Sequence, residues 1–468
     1  MGSTIIGDSS SFLGNGIDLN GNGSKMIIGM SYNNSLYEGN AKVYEWNGND
    51  WDQIGSDLMG ENAGNLNGYS VSISDNSDVI AVGAPGYDLP STTDNNIGYV
   101  RVYEWSGSDW SPKGAPIVGE GADDASGTSC ALSADGNTII IGAPGNIANG
   151  HAGSVRVFYW TGADWFQKGL DLDGFSSWDK FGNSVAISDD GNRIAIGASE
   201  NDSLALDGGQ LRMYEWNGND WVQMGDDIFC DYSPGFFGNS ISMSNDGSII
   251  TSGSYNDPGG SGSAKIYEWN GISWNQKGTD IIGQGYESLG YATQLSGDGN
   301  TIIVGAIFNA ELYYEGGAAK IYEWNGTDWN QKGEILYGDY SYDEFGYYVA
   351  IDDDGRRIIV SAPNSDMVGY NSGYVKVFEF PSQAGYYEED QFSYTIYPNP
   401  SNGLIKLEIT STEKDYSIVI HNIQGETVYQ VNIIDDLVDL DLSILESGIY
   451  FLRLVGNNSS EEKRLIIN

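Results

Sequence analysis

The sequence has few of the residues that carry metal-binding and nucleophilic chemistry, since its 468 residues include only two cysteines and two histidines. Cys130 and Cys230 fall in different repeats, so we do not expect a disulfide between them. These four residues are also too few for a zinc site of Cys and His ligands. His151 and His421 are isolated, which leaves no Ser-His-Asp arrangement to propose. We therefore expect no catalytic residue, no cofactor and no enzymatic activity.

Positive charge is scarce as well, because 21 Lys and Arg stand against 65 Asp and Glu, for a formal net charge of −44. Phosphate binding needs a basic face, so nucleic acid and anionic membrane surfaces are poor partners. No apolar run reaches the roughly 18 residues of a membrane span. The first residues, MGSTIIGDSS, contain no secretory hydrophobic segment, so we expect that the protein stays inside the cell or that its signal peptide has been removed.

Glycine and aromatic residues are abundant instead, with 65 Gly, 31 Tyr and 13 Trp. Together with β-branched residues they favour short strands joined by tight turns. A phrase of the type Tyr-Glu-Trp-Asn-Gly returns at intervals of about 55 residues. Its landmarks are Trp46, Trp105, Trp160, Trp216, Trp269, Trp324 and, as a last echo, Phe380. Residues 1–380 therefore contain seven repeats.

Each repeat is predicted to form four strands. In the fourth repeat these are 184–188, 193–198, 210–216 and 220–225, and glycine supplies the turns at Gly191 and Gly218. The first two strands alternate large and small residues, as expected for sheets that are covered on both faces. Four-stranded units repeated around an axis form a β-propeller. We therefore predict an all-β fold with a seven-bladed β-propeller over residues 1–380.

The seventh repeat lacks a fourth strand, because the chain after Phe380 runs into Pro381-Ser382-Gln383. Residues 3–7, STIIG, match the end of the fourth strand in other repeats, such as 279–283. We predict that residues 3–7 complete the last blade and close the ring. The matching stretch is short, so we also expect that the natural chain begins further upstream.

Two tryptophans flank the four-residue loop of each hairpin, as Trp46 and Trp51 do around Asn47-Gly48-Asn49-Asp50. Six such pairs account for twelve of the thirteen tryptophans. Exposed indoles could stack on sugars, but six nearly identical platforms are better suited to a structural brace in each blade. We therefore expect the hairpin to support the fold.

The first half of each repeat resembles the FG-GAP repeat of integrin-type propellers, with Phe181-Gly182 and the "GAP" of Gly83-Ala84-Pro85. The second half resembles a kelch repeat, with Gly208-Gly209 followed by Tyr214 and Trp221. Both resemblances imply four-stranded propeller blades. FG-GAP repeats often carry a calcium loop, but turns such as Asp189-Asp190-Gly191 are too short to surround a cation that takes six to eight oxygen ligands. Calcium remains a minor hypothesis.

After a predicted linker at 381–391, residues 392–468 have the alternation of a small antiparallel β-domain. They resemble the type A C-terminal sorting domain of the type IX secretion system of Bacteroidetes; an ordinary accessory β-domain is the alternative. The matching residues are Tyr397, Pro398, Asn399, Pro400, Asn402, Gly403, Gly425, Gly448, Tyr450 and Lys463. This resemblance implies an immunoglobulin-like sandwich, recognition by the secretion machinery, and a secreted protein or one held at the outer-membrane surface.

The loops that differ among repeats join strand two to strand three and one blade to the next, so they should lie on one face of the propeller. Variable loops on a shared scaffold favour a recognition surface. Candidate ligand-binding residues in them are Tyr87, Trp178, Tyr232, Tyr286, Tyr313, Tyr314, Tyr340, Tyr342 and Tyr370. We predict a non-catalytic binding or adhesion protein for extracellular glycan or a surface protein. The alternatives are a glycan hydrolase or lyase that uses carboxylates of this face, and a structural surface-layer component.

Overall fold

The computed structural model describes residues 1–33, 37–89, 95–147, 150, 152–230, 232–380, 393–410, 416–422, 426–433, 437–455 and 460–468. These residues form two compact units, Met1–Glu379 and Phe380–Asn468. The predicted linker at 381–391 lies outside the described residues. Within them, no helix has the length and apolar character needed to cross a membrane.

Seven antiparallel sheets make up the first unit, and we number them in the order in which they follow one another along the chain. The first comprises β2 (Gly16–Leu19), β3 (Lys25–Met30), β4 (Asn40–Trp46) and β5 (Trp51–Met59). The second comprises β6 (Ser70–Ile73), β7 (Val79–Ala84), β8 (Tyr99–Trp105), β9 (Trp110–Pro112) and β10 (Ile117–Val118). The third comprises β11 (Ser129–Leu132), β12 (Thr138–Ala143), β13 (Ser154–Trp160), β14 (Trp165–Gln167) and β15 (Leu172–Asp173).

The remaining sheets repeat the pattern. The fourth comprises β16 (Phe181–Ile187), β17 (Arg193–Ala198), β18 (Gln210–Trp216), β19 (Trp221–Gln223) and β20 (Ile228–Phe229). The fifth comprises β21 (Ile241–Met243), β22 (Ile249–Ser254), β23 (Ser263–Trp269), β24 (Trp274–Gln276) and β25 (Ile281–Ile282), with the short helix α1 (Asp257–Gly260) between β22 and β23. The sixth comprises β26 (Leu289–Leu295), β27 (Thr301–Ala306), β28 (Ala318–Trp324), β29 (Trp329–Gln331) and β30 (Leu336–Tyr337). The seventh comprises β31 (Val349–Ile351), β32 (Arg357–Ala362), β33 (Tyr374–Glu379) and β1 (Ile5–Ile6).

The innermost strands of these sheets form a closed ring, in which each packs against the next and β31 packs against β2. A belt of backbone hydrogen bonds runs beside them: the amide of Ala134 donates to the carbonyl of Asp189 at 3.1 Å, and Asp189 donates to Asn245 at 2.9 Å. The belt continues through Gly297 and Asp353 to Gly21 in the first blade. The predicted β-propeller is confirmed, and the described residues form seven blades.

The N-terminal strand closes the ring as predicted. Ile5 pairs with Val375 and Ile6 with Tyr374 in an antiparallel register. The amide of Gly7 extends this contact by donating to the carbonyl of Gly373 at 3.1 Å. Ile5 packs against the core shared by the seventh and first blades, whereas Ile6 is 40% exposed.

The fourth strand of the fourth blade differs from its prediction. In the fourth blade the predicted strand 220–225 is shortened to β19, and β20 follows as a separate short strand beyond Gly225, which has a φ of 72°. A Cβ atom at Gly225 would lie 3.1 Å from the indole of Trp269 in the next blade. The chain therefore bends at a glycine that lies against the tryptophan of the neighbouring blade.

The core of the propeller lies between blades. Ile194, Ala195 and Ile196 of β17 are all fully buried, as expected for a strand covered on both faces. Ile194 and Ile196 pack with residues of the third blade, whereas Ala195 packs with Ile250 of the fifth. Alternate side chains of one strand thus belong to two different interfaces.

The second unit contains two antiparallel sheets. Their strands are β34 (Ser393–Tyr397), β35 (Leu404–Thr410), β36 (Tyr416–Asn422), β37 (Thr427–Ile433), β38 (Leu437–Asp441), β39 (Gly448–Val455) and β40 (Ser460–Ile467). The sheet orders are β34-β35-β38 and β37-β36-β39-β40, and both sheets supply one buried core that includes Leu407, Ile418 and Leu452. The arrangement is that of a small β-sandwich, and its immunoglobulin-like character stays a prediction.

Candidate functional site

The two faces of the propeller carry different sets of loops. One face carries the turns between the first and second strands of each blade, such as Ser188–Asn192. Asp190 accepts hydrogen bonds from the Ser188 hydroxyl at 2.7 Å and from the Asn192 amide at 2.9 Å. Although partial burial acts to raise the pKa of Asp190, these hydrogen bonds leave it below its usual value. Such turns use their carboxylates internally.

The tryptophan hairpins belong to the same end of the blades and join neighbouring blades. Trp160 and Trp165 pack with ring centroids 5.5 Å apart. The indole nitrogen of Trp165 donates to the carbonyl of Lys113 in the preceding blade at 2.7 Å. The Lys113 ammonium lies 5.5 Å from the centre of the Trp160 ring and donates to the carbonyl of Gly136 at 3.2 Å. We refer to this arrangement as the Lys–Trp latch, and it gives the hairpin a supporting role.

The latch recurs at two further lysines that occupy the position of Lys113 in their blades. Lys168 and Lys277 make equivalent contacts with the tryptophan pairs of the blades that follow them, Trp216/Trp221 and Trp324/Trp329. Between the seventh and first blades Arg357 takes the same place over Trp46 and Trp51. Ile54 and Met224 occupy the lysine position elsewhere, and there only the indole-to-carbonyl hydrogen bond is present.

The opposite face, which we call the variable face, carries the loops between strands two and three and the connections between blades. Most of the predicted binding residues are exposed there, and Tyr286 is the most exposed at 81%. The other exposed predicted residues are Trp178, Tyr232, Tyr313, Tyr314, Tyr340, Tyr342 and Tyr370. Tyr87 is half-buried and packs edge-on against Tyr99, with ring centroids 4.8 Å apart.

The structure brings only some of these residues together. Tyr314 and Tyr342 make an edge-on ring contact at 5.4 Å, and the amide of Tyr342 donates to the carbonyl of Tyr314 at 3.0 Å. This contact joins a loop of the sixth blade to the connection that follows it. Tyr232 instead lies beneath the ammonium of Lys265, 5.4 Å from its ring centre. The predicted residues are therefore distributed around the variable face.

Sequence reasoning missed a second aromatic group, at the variable-face end of the central channel. The channel encloses a cavity of about 410 Å³, and Tyr69, Tyr291 and Tyr347 line it. Tyr291 packs against Tyr347 at 4.8 Å and against Tyr255 at 5.3 Å. Each of these three tyrosines directly follows the glycine of the FG-GAP-like phrase. That fixed position in the repeat is the signal that could have identified them.

Carboxylates line the other end of the channel. Asp75, Asp189 and Asp353 occupy the same position in three of the turns between first and second strands. Burial, followed by repulsion from Asp75 and Asp353, raises the pKa of Asp189 to about 7. Burial and the nearby Asp353 raise the pKa of Asp75 to about 6. Among the described residues, no group of three or more His, Cys, Asp or Glu side chains is arranged to hold a metal ion.

Buried carboxylates of the variable face brace its loops. Asp124 accepts hydrogen bonds from the amides of Glu120 and Gly121 at 2.7 and 2.8 Å. The corresponding acids of later blades, Asp179, Glu287 and Asp343, also accept hydrogen bonds from amides that precede them by three or four residues. Each stands just before the FG-GAP-like phrase, so these acids have a structural explanation.

Several predicted sorting residues hold the second unit together. The Asn399 side chain donates to the carbonyl of Arg464 at 2.7 Å and accepts from the amide of Ile466 at 2.9 Å. A Cβ atom at Gly403 would lie 2.8 Å from the Cα of Ser443, so the turn 402–403 requires glycine.

The remaining sorting residues lie along the second unit. The Tyr450 hydroxyl donates to the carbonyl of Glu446 at 2.9 Å. The Lys463 ammonium donates to the carbonyl of Tyr394. Gly448 begins β39, and Tyr397, at the end of β34, is 44% exposed. Pro398 and Pro400 follow β34, and Gly425 lies outside the described residues.

Comparison with known proteins agrees with this architecture. Residues 329–378 match the family described as FG-GAP repeat, and residues 395–468 match the secretion system C-terminal sorting domain. A chain of Kuenenia stuttgartiensis hydrazine synthase is similar in structure, with a TM-score of 0.52 at 11% identity over 82% of this chain and 99% of that chain. At this identity the likeness concerns the fold alone. No curated protein matches the sequence.

The fold and the FG-GAP match define an all-β protein of the β-propeller class. The chain also carries a type IX C-terminal sorting domain. That domain directs export by the type IX secretion system to the cell surface or the extracellular space, and it implies an interaction with the secretion machinery.

Proposed function

We propose that this is a non-catalytic binding or adhesion protein, and that its variable face contacts an extracellular glycan or a surface protein. The observation that carries the proposal is the concentration of exposed aromatic side chains on this face, including Trp178, Tyr286 and the Tyr314–Tyr342 pair. Aromatic rings combine a large apolar surface with a hydrogen-bonding group, which suits recognition of partly apolar, hydroxyl-rich ligands. Export to the cell exterior supports such partners.

The buried acids of the variable face favour binding over glycan hydrolysis. A glycosidase needs two carboxyl groups that are free to act on the scissile bond. Asp124, Asp179, Glu287 and Asp343 instead accept hydrogen bonds from the loops that they brace. This use of the buried acids supports a recognition role.

A glycan array probed with the full chain would test the proposal. We expect binding without release of reducing sugar, and loss of binding to at least some ligands when Tyr314 and Tyr342 are both changed to Ala. Tyr159→Ala is the matched control, because Tyr159 is 43% exposed but lies beside the tryptophan hairpin, at the other end of its strand. Release of reducing sugar would support the hydrolase alternative, and self-assembly without any ligand would support a surface-layer component.

A further inference from the structure

The variable-face end of the channel is built from one repeated position in the blades. This position directly follows a glycine that cannot carry a side chain, because a Cβ at Gly290 would lie 2.1 Å from the carbonyl oxygen of Ser263. The equivalent Cβ at Gly346 would lie 2.4 Å from the carbonyl oxygen of Ala318. The close backbone contact fixes the direction of the next residue. Those that line the cavity are Tyr69, Thr128, Asn183, Asn239, Tyr291 and Tyr347.

One side of this opening is aromatic. The rings of Tyr291 and Tyr347 are 4.8 Å apart and tilted by 55°. Tyr255 packs on the outer side of Tyr291, and Phe236 stacks on Tyr255 at 5.0 Å. The tyrosines are half-buried, so each is held by its neighbours while part of its surface faces the cavity. A rigid aromatic wall of this kind offers an apolar face to a ligand at little cost in side-chain entropy.

The other side of the opening is polar. The amide nitrogen of Asn239 donates to the carbonyl of Tyr291 at 3.2 Å, and that of Asn183 donates to the carbonyl of Asn239 at 3.5 Å. These bonds fix both side chains, while no described residue donates a hydrogen bond to their side-chain oxygens. The oxygens of Asn183 and Asn239 can therefore accept hydrogen bonds from the hydroxyl groups of a ligand.

The charge of the channel selects against anions. Asp18, Asp75, Asp189 and Asp353 line it, and the described lining residues include no Lys, Arg or His. Asp18 accepts a hydrogen bond from the amide of Ile73 in the next inner strand at 2.8 Å. Ser72 makes the equivalent contact one blade further on, where its hydroxyl oxygen accepts from the amide of Leu132 at 3.1 Å. A carboxylate or sulfate group would enter a cavity that already holds negative charge and offers no counter-ion.

We propose that this opening binds one terminal residue of a neutral glycan, which stacks on Tyr291 and Tyr347 and donates hydroxyl hydrogen bonds to Asn183 and Asn239. The inference rests on the proposed binding function and locates the specificity site within it. A volume of about 410 Å³ lies within the range of small-molecule sites, roughly 300–1,000 Å³. The exposed aromatic residues around the variable face then contact the rest of the glycan chain.

The test uses the full chain on an array of neutral glycans that includes matched glycans ending in a uronic acid or a sulfated sugar. We expect the native protein to bind neutral ends at least about tenfold more tightly than matched anionic ends. The double variant Asn183→Ala/Asn239→Ala should weaken binding of the neutral ligand by about tenfold, because two hydrogen bonds to the ligand are lost. Tyr159→Ala is the control, because Tyr159 lies at the hairpin end of the blades. Trp178→Ala, on the outer part of the variable face, tests the proposed binding function separately from the channel.

Thermal melting of each variant separates loss of binding from loss of folding. If the asparagine variant melts at a lower temperature than the native protein, the variant Thr128→Trp is used instead. Its indole would fill the opening from another blade and should block the ligand. Unchanged neutral-glycan affinity in a folded channel variant, together with loss of binding in Trp178→Ala, would overturn the channel site while leaving the proposed function intact. Equal affinity for neutral and anionic ends would also overturn it. Binding of no glycan by the native chain would remove the glycan form of the proposed function itself.

Discussion

Three lysines connect neighbouring blades of the propeller through the Lys–Trp latch. The protein has only 21 Lys and Arg. Lys113, Lys168 and Lys277 are partly buried against the tryptophan pairs of the next blade and donate to carbonyl or amide oxygens there. Burial is the main cause that lowers the pKa of each of these ammonium groups. The latches therefore combine cation–π contact with hydrogen bonds between blades.

Lys277→Met should lower the free energy of unfolding of the propeller by about 1–2 kcal/mol, because it removes a cation–π contact and charged hydrogen bonds. Methionine fits, since Met224 occupies the equivalent position in the fourth blade. The control is Lys332→Met, whose ammonium has a partly exposed partner, Glu323, at 3.1 Å. Urea titration followed by tryptophan fluorescence measures both. An equal loss in the two variants would contradict a specific contribution of the latch.

The raised pKa of Asp189 predicts how the stability of the propeller depends on pH. Its pKa is raised to about 7 by burial and by Asp75 and Asp353, so the folded state binds this proton more tightly than the unfolded state does. The resulting stabilisation is present at low pH and is lost as the pH rises through about 7. Asp189→Asn should therefore melt at a higher temperature than the native protein near pH 8.

The same comparison near about pH 4 gives the control, because a protonated Asp189 and an asparagine are both neutral there. The difference between the two melting temperatures should shrink toward zero at this pH. Asp50→Asn serves as a second control. Asp50 is exposed, and hydrogen bonds from Ser3 lower its pKa. A constant difference between native protein and Asp189→Asn at all pH values would show that repulsion in the channel is not its cause.

Strands and turns followed directly from the sequence, whereas contacts between blades did not. The hairpin around Gly218 and the four-strand unit depend on residues close in the chain, and glycine marks each turn. The early end of the fourth strand before Gly225 depends on Trp269 of the next blade, so the local sequence does not predict it. The tyrosines of the channel were missed for a similar reason. Which side chains of a first strand face the channel depends on the assembled ring.

The N-terminal strand can be tested with two adjacent residues. Ile5→Asn should lower the melting temperature, because Ile5 packs into the core between the seventh and first blades. Ile6→Asn is its matched control, since Ile6 is 40% exposed in the same two-residue strand. Removal of residues 1–7 should cause a larger loss than either substitution, because it also removes the pairing with β33. An unchanged melting curve after that deletion would contradict closure by this strand.

The whole molecule combines a closed ring of similar units with strong self-repulsion. Cores between blades give each unit two neighbours, so stability depends on a complete ring. The net charge of −44 opposes compaction at low ionic strength, and the carboxylates of the channel concentrate part of that repulsion on the axis. The same charge favours solubility at the exterior of the cell, to which the sorting domain directs the protein.

The melting temperature should therefore rise when ionic strength increases from about 0.01 M to about 0.1 M, since the Debye length falls from about 30 Å to about 10 Å. Sodium and calcium chloride at equal ionic strength separate general screening from a specific cation. We expect similar rises with the two salts, because the short turns direct their carboxylates to their own hydroxyl and amide groups, as Asp190 does. A larger rise with calcium that chelator reverses would instead identify a bound ion, and Asp353→Asn would then show whether the channel carboxylates hold it.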